Sequence, residues 1–126
     1  YNGYIGAARE NSTKSIHNGV AKYIANEAAK CALDENATIM GGTITCTSTT
    51  DAIITVLTGG TVLQDKDPYD GGLSVVGTTP ADADKVRGNV VVTKADAGTT
   101  QKILITTCWD KDCTETALTT TVQVFE

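Results

Sequence analysis

The sequence predicts an α+β domain in which one long N-terminal α-helix packs across a three- to four-stranded antiparallel β-sheet. Two patterns carry that expectation. Over residues 1–32 the apolar positions Tyr1, Tyr4, Ile5, Ala8, Ile16, Val20, Tyr23, Ile24, Ala28 and Cys31 recur at intervals of three and four, which is one stripe of an amphipathic helix. From residue 88 onward apolar and polar residues alternate with a period of two, as in strands half-buried on one face.

Along the helix, Arg9, Lys14, Asn18, Lys22 and Glu27 fall opposite the stripe, and Ser12 interrupts it between Ala8 and Ile16. Gly3, Gly6 and Gly19 each cost about 1 kcal/mol relative to alanine, so packing has to hold the helix. At ~1.5 Å per residue the rod is about 45 Å long, more than the core of a 126-residue domain needs. Its first turns are therefore expected to project, leaving Tyr1, Tyr4 and Ile5 as apolar surface for another chain or a membrane.

Residues 33–87 read as a connecting region. Asp34, Glu35 and Asn36 end the helix, Gly41 and Gly42 mark a loop, and a threonine-rich stretch runs from Thr43 to Thr50. Thr50 and Asp51 suit the N-cap of a short helix over Ala52 to Thr58 with Gly59 past its end, whereas Ile53 to Val56 suit a strand equally well. Asp65 to Gly72 is dense in turn formers and acids and reads as a loop. Residues 88–126 hold the sheet, with strands over Gly88 to Lys94, Gln101 to Thr107 and Leu118 to Phe125, and a hairpin loop over Ala95 to Thr100.

Composition narrows the function. A chain of 126 residues fits one domain over 1–126, and a net charge of −5 with ten scattered Lys and Arg argues against nucleic acid as the main partner. Threonine is abundant, while Phe125, Met40, Trp109 and His17 are each the single residue of their type, so the core has to be built from Val, Ile, Leu and Ala. Such a thin core needs covalent help. Cys31, Cys46, Cys108 and Cys113 include no C-x-x-C pair and have one histidine to join them, so disulfides are favoured over zinc or over buried free thiols. Of the three pairings, Cys31 with Cys46 and Cys108 with Cys113 are chosen because each closes a short segment between neighbouring elements, the second stapling the last hairpin. Disulfides place the domain outside the cytosol. The longest apolar run, Ala52 to Leu57, is far too short for a membrane span, so the N-terminus reads as a cut edge from which the export segment is missing.

No catalytic constellation emerges. His17 reads as a helix-surface histidine beside Ile16, no nucleophile has a base in a recognisable pattern, and Gly59-Gly60 and Gly71-Gly72 lack the ending of a phosphate loop. Asp65, Asp67 and Asp70 are the best metal candidates, since clustered hard oxygens suit calcium, set against the plainer reading of a solvated acidic turn. Trp109 is expected either folded onto the sheet or exposed for contact. Asn11-Ser12-Thr13 and Asn36-Ala37-Thr38 match the glycosylation triplet, which arises often by chance in a threonine-rich chain.

The opening Tyr1-Asn2-Gly3-Tyr4-Ile5-Gly6-Ala7-Ala8-Arg9 resembles the stretch that follows the membrane-embedded half of the first helix in type IV pilins. The order of a long helix, connecting loop, antiparallel sheet and C-terminal cysteine pair is similar to that family, and Asp67-Pro68-Tyr69 looks like turns found in some pilins and type II secretion pseudopilins. The resemblance implies a structural subunit, not an enzyme, that polymerises with identical copies into an extracellular, cell-surface filament used for adhesion, motility, DNA uptake or secretion. It further implies a hydrophobic segment ahead of Tyr1, processed by a prepilin peptidase, that anchors the subunit in the inner membrane before assembly. Tyr1, Tyr4, Ile5 and Ala8 would then lie nearest the filament axis. Related pseudopilins hold calcium in a loop near the Asp65 to Asp70 turn. The alternatives are a type II secretion pseudopilin and a secreted, disulfide-stapled binding domain with no filament role.

Overall fold

The computed structural model describes residues 2–69, 71–78, 87–109 and 117–125, with side chains from residue 7 onward. The first helix, α1, spans Asn2–Leu33, 32 residues or about 48 Å. Among the side chains described, its buried face runs from Thr13 through His17, Val20, Ile24, Glu27 and Ala28, all spaced by one helical turn or by one residue. Ala7, Ala8, Arg9 and Ser12 are exposed, so residues 7–12 add nothing to that buried face. Glu27 corrects the expected solvent face: it is buried, bonded to Lys30 one turn on, and its Oε1 accepts the Met40 N–H at 2.8 Å. The Lys30 ammonium holds the Glu27 carboxyl below the usual carboxylate range, against the upward push of burial, and the Met40 N–H adds to the lowering.

The connecting region contains more regular structure than its sequence suggests. Two-residue strands β1 (Thr38–Ile39) and β2 (Ile44–Thr45) pair antiparallel and carry buried Ile39 and Ile44 into the core. The turn between them needs left-handed backbone at Met40 (φ 53°), Gly41 and Gly42. Met40 is not a residue that adopts this region freely. Its side chain is fully buried and its N–H is held by Glu27, which together fix the conformation. Helix α2 (Thr50–Leu57) settles the helix-or-strand ambiguity of this segment. Its N-cap is Thr49, whose hydroxyl accepts from the Ala52 N–H, one residue earlier than expected. Ile53 and Leu57 face the core.

A second correction concerns the sheet, which is mixed. Its order is β3-β4-β5-β6, formed by Val75–Val76, Val90–Lys94, Gln101–Thr107 and Leu118–Phe125. β3, absent from the expected strand set, runs parallel to β4, with Val75 opposite Val90. A parallel neighbour requires a return of about a dozen residues, and residues 77–89 have that length. β4, β5 and β6 form the antiparallel meander that alternation predicted, with β4 starting two residues late at Val90. Between β4 and β5 the loop closes through reciprocal Ala97 and Thr100 backbone bonds of 3.0 Å, with Gly98 at φ 62°. On one face Val90, Val92, Ile103, Ile105 and Val124 meet Val20 and Ile24 of α1 and Ile53 and Leu57 of α2. α1 lies chiefly over β6 and β5, and α2 covers β4.

Cys31 and Cys46 form a disulfide, tying the last turn of α1 to the end of β2. Cys108 is also disulfide-bonded, while its expected partner Cys113 lies outside the described residues. Removing the first bridge frees a segment with a sequence separation of 15. Cys31→Ala/Cys46→Ala is therefore expected to lower unfolding free energy by about 3 kcal/mol in urea titration, with the β5–β6 ladder retained in hydrogen exchange.

Candidate functional site

Three features gather the residues singled out by sequence. The first is the helix flank expected to pack in a filament. Tyr1 lies outside the described residues, Tyr4 and Ile5 belong to the backbone of α1, and Ala8 is exposed on it.

The second is the acidic turn. Asp65 is exposed, Asp70 lies outside the described residues, and Asp67 is buried at 2% exposure. Asp67 acts as a turn former: its Oδ1 accepts the Tyr69 N–H at 2.7 Å, its N–H donates to Gly72 at 2.7 Å, and its carbonyl accepts from Gly71 at 2.9 Å. The base of the turn is fastened by the Ser74 N–H to the Asp65 carbonyl at 3.0 Å. Ser74 then donates its hydroxyl to the Gly88 carbonyl at 2.8 Å, while the Gly88 N–H donates to Cys108 at 2.8 Å. Gly88 has φ +86°, and a Cβ there would sit 1.9 Å from Asp67 Oδ1. Only glycine allows the carboxylate to lie against the start of the sheet. Among the described residues no three His, Cys, Asp or Glu are gathered as metal ligands.

From this turn a set of cation–ring contacts reaches α1. The Tyr69 ring faces Arg87 at 4.8 Å and Arg9 at 5.9 Å, and its hydroxyl donates to the Trp109 carbonyl at 3.1 Å. The Trp109 ring lies under the Lys14 ammonium at 3.8 Å. Trp109 is half-buried and packs toward the helix, so its place lies between the folded and exposed expectations. Each such contact is worth about 0.5–1 kcal/mol at an exposed site. Together they hold the N-terminal half of α1 against the turn and the end of β5. Sequence reading missed this arrangement because it unites residues 9, 14, 69, 87 and 109, which no local motif connects. The Asp67-Pro68-Tyr69 signal marked one member.

The third feature is His17, which is not on the helix surface. It is 2% exposed, between the helix and the sheet. Nδ1 is 2.6 Å from the Thr107 hydroxyl and Nε2 is 2.9 Å from the Thr120 hydroxyl. The neutral ring donates to one threonine and accepts from the other, joining α1 to β5 and β6 at once. Burial pushes its pKa below the ordinary value of 6.5. Thr107 is fully buried, so this hydroxyl–imidazole contact is closed to solvent. The missed signal was spacing: Thr13, His17, Val20 and Ile24 share one face, and Ile16 only flanks it. In the first glycosylation triplet Thr13 is buried with its hydroxyl on the Arg9 carbonyl, whereas Asn36 and Thr38 of the second are exposed.

These placements have measurable consequences. A histidine whose folded pKa is lowered binds fewer protons than in the unfolded chain. Its stabilisation is therefore complete above pH ~6.5 and is lost as pH falls toward the folded value. Urea titrations at pH 7.5 and 5 should show the wild type weakening in acid, and His17→Gln should remove part of that dependence. Gly88→Ala should cost about 1–3 kcal/mol from backbone strain alone, before the Asp67 clash is added, read as a lowered urea midpoint. Compared with known proteins, the chain matches no protein-family model, no curated protein and no solved structure.

Proposed function

We propose that this chain is the globular subunit of an extracellular, type IV pilus-like filament and acts by helical polymerisation with identical copies, not by turnover. The observation that carries the proposal is the division of α1. From Thr13 to Ala28 its buried face is committed to the domain's own core, while Ala7 and Ala8 ahead of it remain exposed. Apolar surface on a rod of this length suits repeated contacts with neighbouring copies. The order of helix, connecting region and meander supports the same reading, as does the resemblance of Tyr1 to Arg9 to pilins. The Cys31–Cys46 bridge supports an oxidising, extracellular setting. In this reading the hydrophobic segment that anchors the subunit before assembly precedes Tyr1. No helix among the described residues is long and apolar enough to cross a membrane.

Filaments sheared from cells that make the protein are expected to contain this chain as a repeating component, identified by mass spectrometry and electron microscopy. Ala8→Asp should abolish them while shifting the unfolding free energy by no more than about 0.5 kcal/mol, because Ala8 is exposed. Recovery of the chain only as a dispersed secreted protein, or normal filaments from Ala8→Asp cells, would count against the proposal. A melting temperature raised by calcium and lowered again by Asp65→Asn would favour the secretion pseudopilin instead.

A further inference from the structure

The packing of α1 changes character at Gly19. Residues 20–31 reach the core through Val20, Ile24 and Ala28, with Ala21, Tyr23 and Cys31 half-buried beside them, although Ala25, Ala29 and Ala32 on the outer flank are exposed. The disulfide and the Glu27 bond to the Met40 N–H fasten that half again. Residues 7–18 are held differently. Within this stretch Thr13 and His17 are buried, Glu10, Lys14 and Ile16 are half-buried, and all the rest are exposed. Ile16 is thus the one apolar side chain that residues 7–18 give to the core. Thr13 returns its hydroxyl to the Arg9 carbonyl of its own helix, so among the described residues the side-chain hydrogen bonds that tie this half to the sheet are those of His17 to Thr107 and Thr120. The other ties are the cation–ring contacts of Arg9 and Lys14.

We infer that residues 7–18 form an arm latched by His17 and released in acid, with Gly19 as the joint, while residues 20–33 stay docked. Protonation makes both imidazole nitrogens donors and puts a full charge between helix and sheet. Without a compensating carboxylate, hydration draws that charge out. β5 and β6, the strands packed against the ring, contain one charged residue between them, Lys102, which precedes the buried Ile103 and so lies on the opposite face. Cys108, next to Thr107, is disulfide-bonded and does not titrate. On α1 the neighbouring charges are Lys14, one turn before, which opposes a second cation, and Glu10, about 10 Å up the axis. No described carboxylate is therefore placed to hold an imidazolium in. Burial alone already pushes the ring's pKa below its ordinary value.

Gly19 completes the device. It is exposed and a Cβ there would meet nothing within 4 Å, so packing does not demand glycine; what glycine supplies is a weak point in the helix between its two halves. A short helical segment away from its partner is marginal in water, so the arm frays as it leaves. The release holds whether or not the chain polymerises.

Native-state hydrogen exchange of the oxidised chain, corrected for intrinsic rates, tests it. At pH 7.5 protection over residues 7–18 is expected to be lower than over 20–33 and to be lost through an opening that low urea scarcely changes. By pH 5 it should fall by a further tenfold or so, with about thirtyfold as the limit set by an open-state value near 6.5. His17→Gln should flatten this pH dependence. Gly19→Ala should raise protection over 7–18 at both pH values without moving that over 20–33, because alanine fits and stiffens the joint. Equal protection on the two sides of Gly19 overturns the inference, since α1 then opens as one piece. So does protection over 7–18 that is the same at pH 7.5 and 5, a pH dependence that survives in His17→Gln, or an arm that Gly19→Ala leaves no better protected. The wild-type comparison decides by itself if a variant fails to fold.

Discussion

The polar stripe on the buried face of α1 is the constraint around which this domain is organised. Thr13, His17 and Glu27 lie on the same side of the helix as Val20, Ile24 and Ala28, so docking the helix desolvates all three. A buried polar group without a partner costs more than a typical hydrogen bond returns. Thr13 turns its hydroxyl back onto the Arg9 carbonyl of its own helix, whereas the other two specify neighbours: His17 requires threonines on two adjacent strands, and Glu27 requires Lys30 and the Met40 N–H. An apolar stripe would tolerate sliding of the helix by a turn. This one does not, because a shift of one turn would part His17 from both Thr107 and Thr120.

The rest of the fold follows from where those partners stand. Thr107 ends β5 and Thr120 lies near the start of β6, so the imidazole reads the register of that hairpin. Glu27 fixes a left-handed Met40, which turns β1 back as β2 and carries Cys46 to Cys31. The disulfide thus closes a geometry that a carboxylate has already selected. With single phenylalanine, methionine and tryptophan residues, the core offers few large shapes to interlock. Polar and covalent contacts take over the task of specifying one packing, at the cost of sensitivity to acid at His17.

How much of this could be read from the chain depended on the range of the interactions. Periodicity placed α1, β5 and β6, since each is long enough for its 3.6- or 2-residue pattern to stand out. β1, β2 and β3 are two residues each, too short to show any period, and they exist because nonlocal neighbours complete them. The parallel pairing of Val75 with Val90 was hidden for the same reason. Charge and polarity suggest solvent for His17 and Glu27, yet their helical angle puts them with Val20 and Ile24. Position on the face outweighed residue type. At the turn, Asp67-Pro68-Tyr69 was legible as a turn, while its attachment to Arg87, Trp109 and α1 was not, because those contacts join segments far apart in the chain.

The two ends of α1 are held by interactions of different strength, which bears on how the molecule can meet others. Its C-terminal half has a disulfide, a buried Glu27 held by Lys30 and the Met40 N–H, and the aliphatic core. Its N-terminal half has surface cation–ring contacts from Arg9 and Lys14, which water and salt weaken. The exposed Ala7 and Ala8 lie before even these. Local opening is therefore cheapest at the N-terminal turns and dearest near Cys31. A rod held firmly near Cys31 and lightly near Arg9 and Lys14 can adjust its N-terminal turns to a neighbour without disturbing the sheet. The exposed alanine flank at the anchored end has no such freedom, so any partner there has to match a surface already fixed.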